Sequence, residues 1–372
     1  MKAVPTWHNN VGGGNMRKIT VILTLVILFM LTGTAYAQGP DITAASAILM
    51  EMESGKILYK KDIFKPMPPA STTKVLTAIL ALDITNPSDE VEISKNSAST
   101  GEASIYLDAG EKLTVEELLK GALIKSGNDA AVALAEHVAG NVELFSLLMN
   151  KKSRLLGGTV SNFVNPNGLP DDRHVSSTFD LATITRYALK DALFKQIVDT
   201  KLETIPWNGS GQRYLRNTNR LLWEYSYVNG VKTGTTRAAG QCLVASAYKD
   251  GMQLISVVFK SKDRYGDTLK LLNYGFANYK VEYVPKGQVL GKIHVANGTK
   301  NYTWAETKRP LVFVYNSNYK GVLEKKLDLT RSLSAPVELG KEVGTLSLWL
   351  ANEKMAAVPL VTSGMIGKKK NP

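Results

Sequence analysis

Hydrophobic and polar positions are arranged in three textures along the chain, and each predicts a different structure. From Ile19 to Leu31 the chain is apolar almost throughout, with Arg17-Lys18 before it and Ala35-Tyr36-Ala37 after it. From about residue 45 to residue 280, strand-like runs alternate with helical periodicity. After Tyr279 the segments become short and alternating, broken by Gly and Asn turns: Val289 to Val295, Leu311 to Tyr315, Leu327 to Leu329 and Thr345 to Leu350. That last pattern predicts a small all-β domain of sandwich type, with Val281 to Pro285 as the linker to it.

The middle texture resolves into elements. Ala45 to Met50 and Lys56 to Tyr59, joined by the Glu53-Ser54-Gly55 turn, read as a hairpin that opens a sheet. Met67-Pro68-Pro69-Ala70 stiffens the approach to the apolar run Val75 to Leu82, which predicts a buried helix capped by Ser71. Thr114-Val115-Glu116-Glu117 is a capping box for a helix through Leu118, Leu119, Ala122, Leu123 and Ile124. A second helix, Ala130 to Val138, starts directly after Ser126-Gly127-Asn128, so those polar residues fall on a tight corner. The turn-rich stretch Val164 to Asp172 reads as a loop before a helix capped by Ser177. Gln241 to Tyr248 and Met252 to Phe259 predict two central strands, with Lys232-Thr233-Gly234 on a neighbouring one, and helical periodicity resumes from about Asp267.

Length and charge narrow the class. At 372 residues two domains are expected. The formal net charge is +12, and because residues 1 to 37 contain Lys2, Arg17 and Lys18 without an acid, a chain beginning at residue 38 carries 42 basic against 33 acidic residues. Basic charge suits anionic surroundings such as wall polymers or lipid head groups, and equally a plain solvated surface. No like-charge block exceeds Lys368-Lys369-Lys370 and no nucleic-acid signature is present, so nucleic acid is not an expected partner. The N-terminal texture has the three regions of a secretory signal with cleavage after Ala37, a retained anchor being the alternative, and its basic residues nominate Met16 as the start. The single Cys242 allows no internal disulfide and reads as buried filler. His8, His137, His174 and His294 lack ligand spacing, so neither a metal nor a cofactor is expected.

The candidate chemistry begins at Ser71-Thr72-Thr73-Lys74. Residues three apart share a helix face, so an amine at 74 can reach a hydroxyl at 71 and act as its base in acyl transfer. Neither this spacing nor the next motif is specific alone: Ser317-Asn318-Tyr319-Lys320 repeats the first, and Ser94-Lys95-Asn96 repeats the form of Ser126-Gly127-Asn128. The signal is the ordered trio: Ser126-Gly127-Asn128 lies 55 residues after Ser71 and Lys232-Thr233-Gly234 lies 161 after it.

This trio is the motif set of penicillin-binding proteins and β-lactamases. With Ser126-Gly127-Asn128-Asp129-Ala130-Ala131, Asn217 to Trp223, Gly230-Val231-Lys232-Thr233-Gly234 and Arg264, eight residues before Leu272, the chain from residue 38 resembles a low-molecular-mass penicillin-binding protein of the serine-type D-alanyl-D-alanine carboxypeptidase family. The resemblance implies an α/β (α+β) fold: a penicillin-binding/β-lactamase-like peptidase domain (38–280) with a central antiparallel sheet, a C-terminal β-sandwich domain (281–365) and a basic tail (366–372). It implies Ser71 as nucleophile, Lys74 as base, Ser126 as proton relay and Asn128 as positioner of Lys74 and the substrate amide. Lys232, Thr233 and Arg264 would hold the substrate's terminal carboxylate on the strand of Gly234, and the N–H groups of Ser71 and Thr235 would form an oxyanion hole. Asn217 and Trp223 read as structural. Implied partners are peptidoglycan stem peptides and inhibitory β-lactams, at the cell envelope or secreted.

Three other activities share these residues: a serine β-lactamase, a D,D-endopeptidase, and a wall-binding protein with a disabled site. The loop from Val160 to Pro170 has no Glu or Asp to serve as the deacylating base of a β-lactamase. Family members commonly end in an amphipathic membrane helix, whereas Ser363 to Pro372 is too short and polar to hold a bilayer.

Overall fold

Every residue of strand β1 (Ser46–Glu51) is buried, which places it inside a sheet and not at its rim. The chain reverses at Gly55, whose φ of +73° suits a residue without a Cβ, and returns as β2 (Ile57–Lys61). The computed structural model describes Ala3 and residues 39–208, 211–319 and 321–370. The expected signal, its cleavage after Ala37, the start at Met16 and Lys320 lie outside the described residues.

A single 3-10 turn, Ala70–Thr73, leads into helix α1 (Lys74–Ile84), buried on most of its circumference as its apolar run predicts. Strand β3 (Glu90–Glu92), helix α2 (Lys95–Ala98), strand β4 (Lys112–Thr114) and helix α3 (Val115–Lys120) follow. The capping box forms: Glu117 N–H donates to Thr114 Oγ1 and Thr114 N–H to the Glu117 carboxylate. A π-type turn, Gly121–Lys125, joins α3 to α4 (Asn128–Ala139), and α5 (Val142–Leu155), α6 (Thr178–Ala188) and α7 (Ala192–Asp199) come next. After a two-stranded ribbon of β5 (Leu202–Trp207) and β6 (Gly211–Arg216) and the short α8 (Leu221–Glu224), the chain lays down β7 (Val228–Thr236), β8 (Gly240–Lys249), β9 (Met252–Ser261) and α9 (Arg264–Asn278).

The main sheet has the order β2-β1-β9-β8-β7 and is antiparallel throughout. Its two faces fill two cores, as the period of two demands. Ile255, Val257 and Phe259 of β9 point into the core shared with α1, α4 and α6, while Leu254 and Val258 point into the one closed by Leu271 and Leu272 of α9. Cys242 sits buried on β8, where burial pushes its thiol up to about 11, in keeping with an inert filler.

The C-terminal half is all β: β10 (Tyr279–Val284), β11 (Val289–Ala296), β12 (Tyr302–Thr307), β13 (Leu311–Asn316), β14 (Leu323–Leu329), β15 (Ser332–Ser334), β16 (Glu342–Leu350) and β17 (Glu353–Thr362). A six-stranded sheet, β14-β16-β17-β12-β11-β15, packs against the β10-β13 ribbon, and Val284 and Leu311 of the ribbon share a core with Ile293, Ala305, Leu346 and Val358 of the sheet.

Two sequence readings need correction here. Val281 to Val284 is not a linker but part of β10, paired residue for residue with β13. The ribbon serves both halves: Val314 is buried in the α9 core, the Val314 carbonyl accepts from Lys56 Nζ at 2.7 Å, and Ser317 N–H donates to the Asn278 carbonyl at 2.8 Å. Nor do residues 366 to 369 form a free tail. Ile366 is buried and exchanges both backbone hydrogen bonds with Val337, and Lys369 N–H donates to the Asn297 carbonyl.

Candidate active site

The turn that presents Ser71 is strained and wedged. Ala70 has φ +50°, a conformation that costs a non-glycine residue about 1 kcal/mol or more. Two glycines permit it by letting backbone approach from both sides. A Cβ at Gly168 would lie 1.9 Å from the Ala70 carbonyl oxygen, and one at Gly234 would lie 3.1 Å from the Ser71 nitrogen. Ser71 does not cap α1 as expected. It lies inside the 3-10 turn, where Thr72 Oγ1 donates to the Pro69 carbonyl at 2.6 Å, and Thr73 is the residue that precedes the helix. The Ser71 hydroxyl is thereby kept for another partner.

That partner is Lys74, whose Nζ lies 3.0 Å from Ser71 Oγ. Lys74 is fully buried, and its Nζ also donates to Asn128 Oδ1 at 2.7 Å and to the Asn167 carbonyl at 2.9 Å. Burial, then the charge of Lys232, holds the amine well below its ordinary pKa, against a smaller opposing pull from Asp129 and Glu102. A neutral amine has two hydrogens and one lone pair. Asn128 Oδ1 and the Asn167 oxygen can only accept, so they take both hydrogens and leave the lone pair for the Ser71 hydroxyl.

Asn128 is oriented from outside the cleft. Its Nδ2 donates to the Gly101 carbonyl at 2.9 Å and its backbone N–H to the Ala103 carbonyl at 2.7 Å, which turns Oδ1 toward Lys74. The loop supplying those carbonyls is anchored by buried Asp129, which accepts from Ser104 Oγ and from the N–H groups of Ile105 and Leu107. Ser126 is the expected corner residue, two positions before Asn128 and nine-tenths buried, with φ +72° at the end of the π-type turn. By contrast Ser94, of the look-alike motif, simply caps α2.

Strand β7 supplies the remaining wall. Lys232 is buried, donates to the Thr233 carbonyl at 3.0 Å, and is brought down to about 7 by burial and then by Arg264. Arg264 Nη1 donates to Thr235 Oγ1 at 2.7 Å and to the Gly234 carbonyl at 3.0 Å. Thr233 Oγ1 and Thr218 Oγ1 lie 2.7 Å apart. The nine sequence-predicted residues therefore fall on four segments that touch: Gly234 backs on Ser71, Asn128 is bonded to Lys74, and Arg264 at the start of α9 is bonded to Thr235. Asn217 is structural as expected, donating to the Thr200 carbonyl, and Asn219 likewise donates to the Gly230 carbonyl.

Sequence reasoning missed three contributors. Asn167 acts through its carbonyl, so its residue type carries no signal. Thr218 reaches Thr233 from the stretch between β6 and α8. Tyr265 joins the two halves of this wall: Arg264 and Arg220 both stack on its ring, at 5.1 and 4.5 Å, and its hydroxyl donates to the Thr218 carbonyl at 3.2 Å. Its position directly after Arg264 was the available clue.

A half-buried serine bonded to a buried lysine, beside a strand that carries a second buried lysine, agrees with what comparison with known proteins finds. Residues 33–263 match the family model described as D-alanyl-D-alanine carboxypeptidase. The chain belongs to the D-alanyl-D-alanine carboxypeptidase family. Residues 279–368 match the C-terminal domain of penicillin-binding protein 5. Among relatives of the carboxypeptidase family, DacF of Bacillus subtilis is 36% identical over 327 residues, covering 85% of this chain and 84% of that protein. DacC of Escherichia coli is 32% identical over 357 residues, covering 90% and 88%. The structure of penicillin binding protein 5 from Haemophilus influenzae superposes with a TM-score of 0.69 at 30% identity, covering 89% of this chain and all of that one. The chain is thus a serine-type carboxypeptidase of the low-molecular-mass penicillin-binding proteins.

Proposed function

We propose that the chain removes the terminal D-alanine from peptidoglycan stem peptides, with Ser71 as nucleophile and Lys74 as its base. The observation that carries this reading is the 3.0 Å approach of a buried amine to Ser71 Oγ, with two obligate acceptors holding its other positions. Lys74 takes the hydroxyl proton as Ser71 attacks the carbonyl between the two D-alanines, and the developing oxyanion is met by the N–H groups of Ser71 and Thr235. Ser126 passes a proton to the departing amine, the last D-alanine leaves, and water hydrolyses the ester. Lys232, Thr233 and Arg264 bind the free carboxylate that only a chain end carries, which gives exopeptidase selectivity.

A β-lactam enters the same path, but its leaving group stays tethered and the acyl-enzyme persists. From Val160 to Pro170 the chain holds no carboxylate, and it reaches Lys74 through the main-chain carbonyl of Asn167, which supports slow deacylation over β-lactamase activity. Residues 1 to 37 act as an export signal and place the enzyme at the cell envelope, where its basic surface meets anionic polymer or lipid. The test is labelling with a fluorescent penicillin, coupled to mass spectrometry of muropeptides. Wild type should label and should shorten pentapeptide stems by one alanine. Undiminished label on Ser71→Ala, or cleavage of cross-links in place of chain ends, would refute the assignment.

A further inference from the structure

The outer face of the β half carries an aromatic surface that the catalytic reading does not use. Along β12, Thr303 and Ala305 point into the core, so Tyr302 and Trp304 point outward, each 43% exposed. Their rings meet edge to face at 5.5 Å. Lys292, opposite Trp304 on β11, lays its ammonium 3.8 Å over the Tyr302 ring and 5.9 Å from that of Trp304, leaving the indole as the freer platform.

These rings floor a groove of about 770 Å³ whose walls are Thr299–Asn301 and Ser363–Met365. The walls are fixed by backbone: Ser363 N–H donates to the Trp304 carbonyl, and Thr299 N–H to the Gly367 carbonyl. Hydroxyls, an amide and two ammonium groups line the groove, and no carboxylate does.

We propose that this groove binds the amino-sugar strand of the wall polymer whose stem peptides the peptidase half trims. A pyranose ring presents an apolar C–H face and a polar rim; the indole suits the first, and Thr299, Asn301 and Ser363 suit the second. Lys292 and Lys300 complement the carboxylates that such a polymer carries on its stems. A bilayer fits less well, because interfacial Trp and Tyr must protrude, whereas these rings are more than half covered and polar walls flank them. The choice of polymer rests on the proposed function.

The experiment uses the exported chain with its active site acylated by penicillin, so that the cleft cannot hold a stem peptide. Binding is read by co-sedimentation with purified peptidoglycan and by titration with the soluble hexamer of β-1,4-linked N-acetylglucosamine. Trp304→Ala should weaken both roughly tenfold, Trp304→Phe should retain most of the affinity, and both variants should hydrolyse a small D-Ala-D-Ala tripeptide at the wild-type rate. Equal binding by Trp304→Ala and wild type overturns the proposal. So does Trp304-dependent binding to phosphatidylglycerol vesicles without binding to glycan. Because the hexamer carries no peptide, a wild type that binds it but fails to hydrolyse the tripeptide supports the groove and refutes only the catalytic reading.

Discussion

The two halves of the molecule treat polar groups in opposite ways. The peptidase half buries Lys74, Lys232, Asn128 and Asp129, whereas the buried polar side chains among the described residues of the β half are the hydroxyls of Thr303, Thr307, Ser347 and Thr362. Charged residues of the β half stay at the surface, in pairs such as Lys308 with Glu342, worth at most about 1 kcal/mol. Burying an amine is costly unless it is neutralised or fully bonded. A half that tolerates two buried lysines is doing so for chemistry, and a half that tolerates none is built to stand and to present a surface.

That contrast can be tested from its strongest point downward. Ser71→Ala should abolish penicillin labelling and lower hydrolysis of a D-Ala-D-Ala peptide by roughly 10⁴-fold or more, with little change in melting temperature. Lys74→Met should cost roughly 10³-fold in kcat and lower the melting temperature only modestly, since it removes a desolvated amine but leaves the Asn128 and Asn167 acceptors unpaired; a large fall in melting temperature would show the lysine to be structural.

His174 supplies the next test. It is buried, its Nδ1 accepts from Val164 N–H, its Nε2 bonds Thr73 Oγ1 at 2.9 Å, and burial brings it from 6.5 down to about 4. As pH falls below 6.5 the unfolded chain takes up a proton that the folded chain refuses until about pH 4. Stability therefore drops across that window, by about 3 kcal/mol in all, and levels off below it. Denaturant titrations at stepped pH should show the drop, and His174→Gln should flatten it.

A smaller effect is expected from Lys232. Its charge is present below about pH 7 and lost above it in the empty site, so kcat/KM for a carboxylate-bearing peptide should fall above that pH. Lys232→Arg should move the descending limb to higher pH. Smallest of all, Lys308→Ala in the β half should change stability by less than about 1 kcal/mol. A larger loss would undo the contrast between the halves.

What could be read from the sequence follows the range of the interaction. The Ser71–Lys74 pair is local, set by three-residue spacing, and was legible. So was the alternation that sends Ile255 and Val257 to one core and Leu254 and Val258 to the other. The cap expected of Ser71 was not found, because Gly168 and Gly234, distant in sequence, press backbone against Ala70 and hold a 3-10 turn there. The β10 strand was mistaken for a linker because its partner, β13, lies beyond two intervening strands. The C-terminal lysines dominated the reading of the last residues, although Ile366, Gly367 and Lys369 bond them to the fold. Asn167 could not have been found, since a carbonyl is common to every residue.

The grip of Asn167 on the amine through its main chain has an evolutionary consequence. Replacing the Asn167 side chain leaves that acceptor in place, whereas any side chain at the adjacent Gly168 would meet the Ala70 carbonyl oxygen at 1.9 Å and displace the loop. Sequence drift at position 167 is therefore cheap for the amine, while drift at position 168 is not.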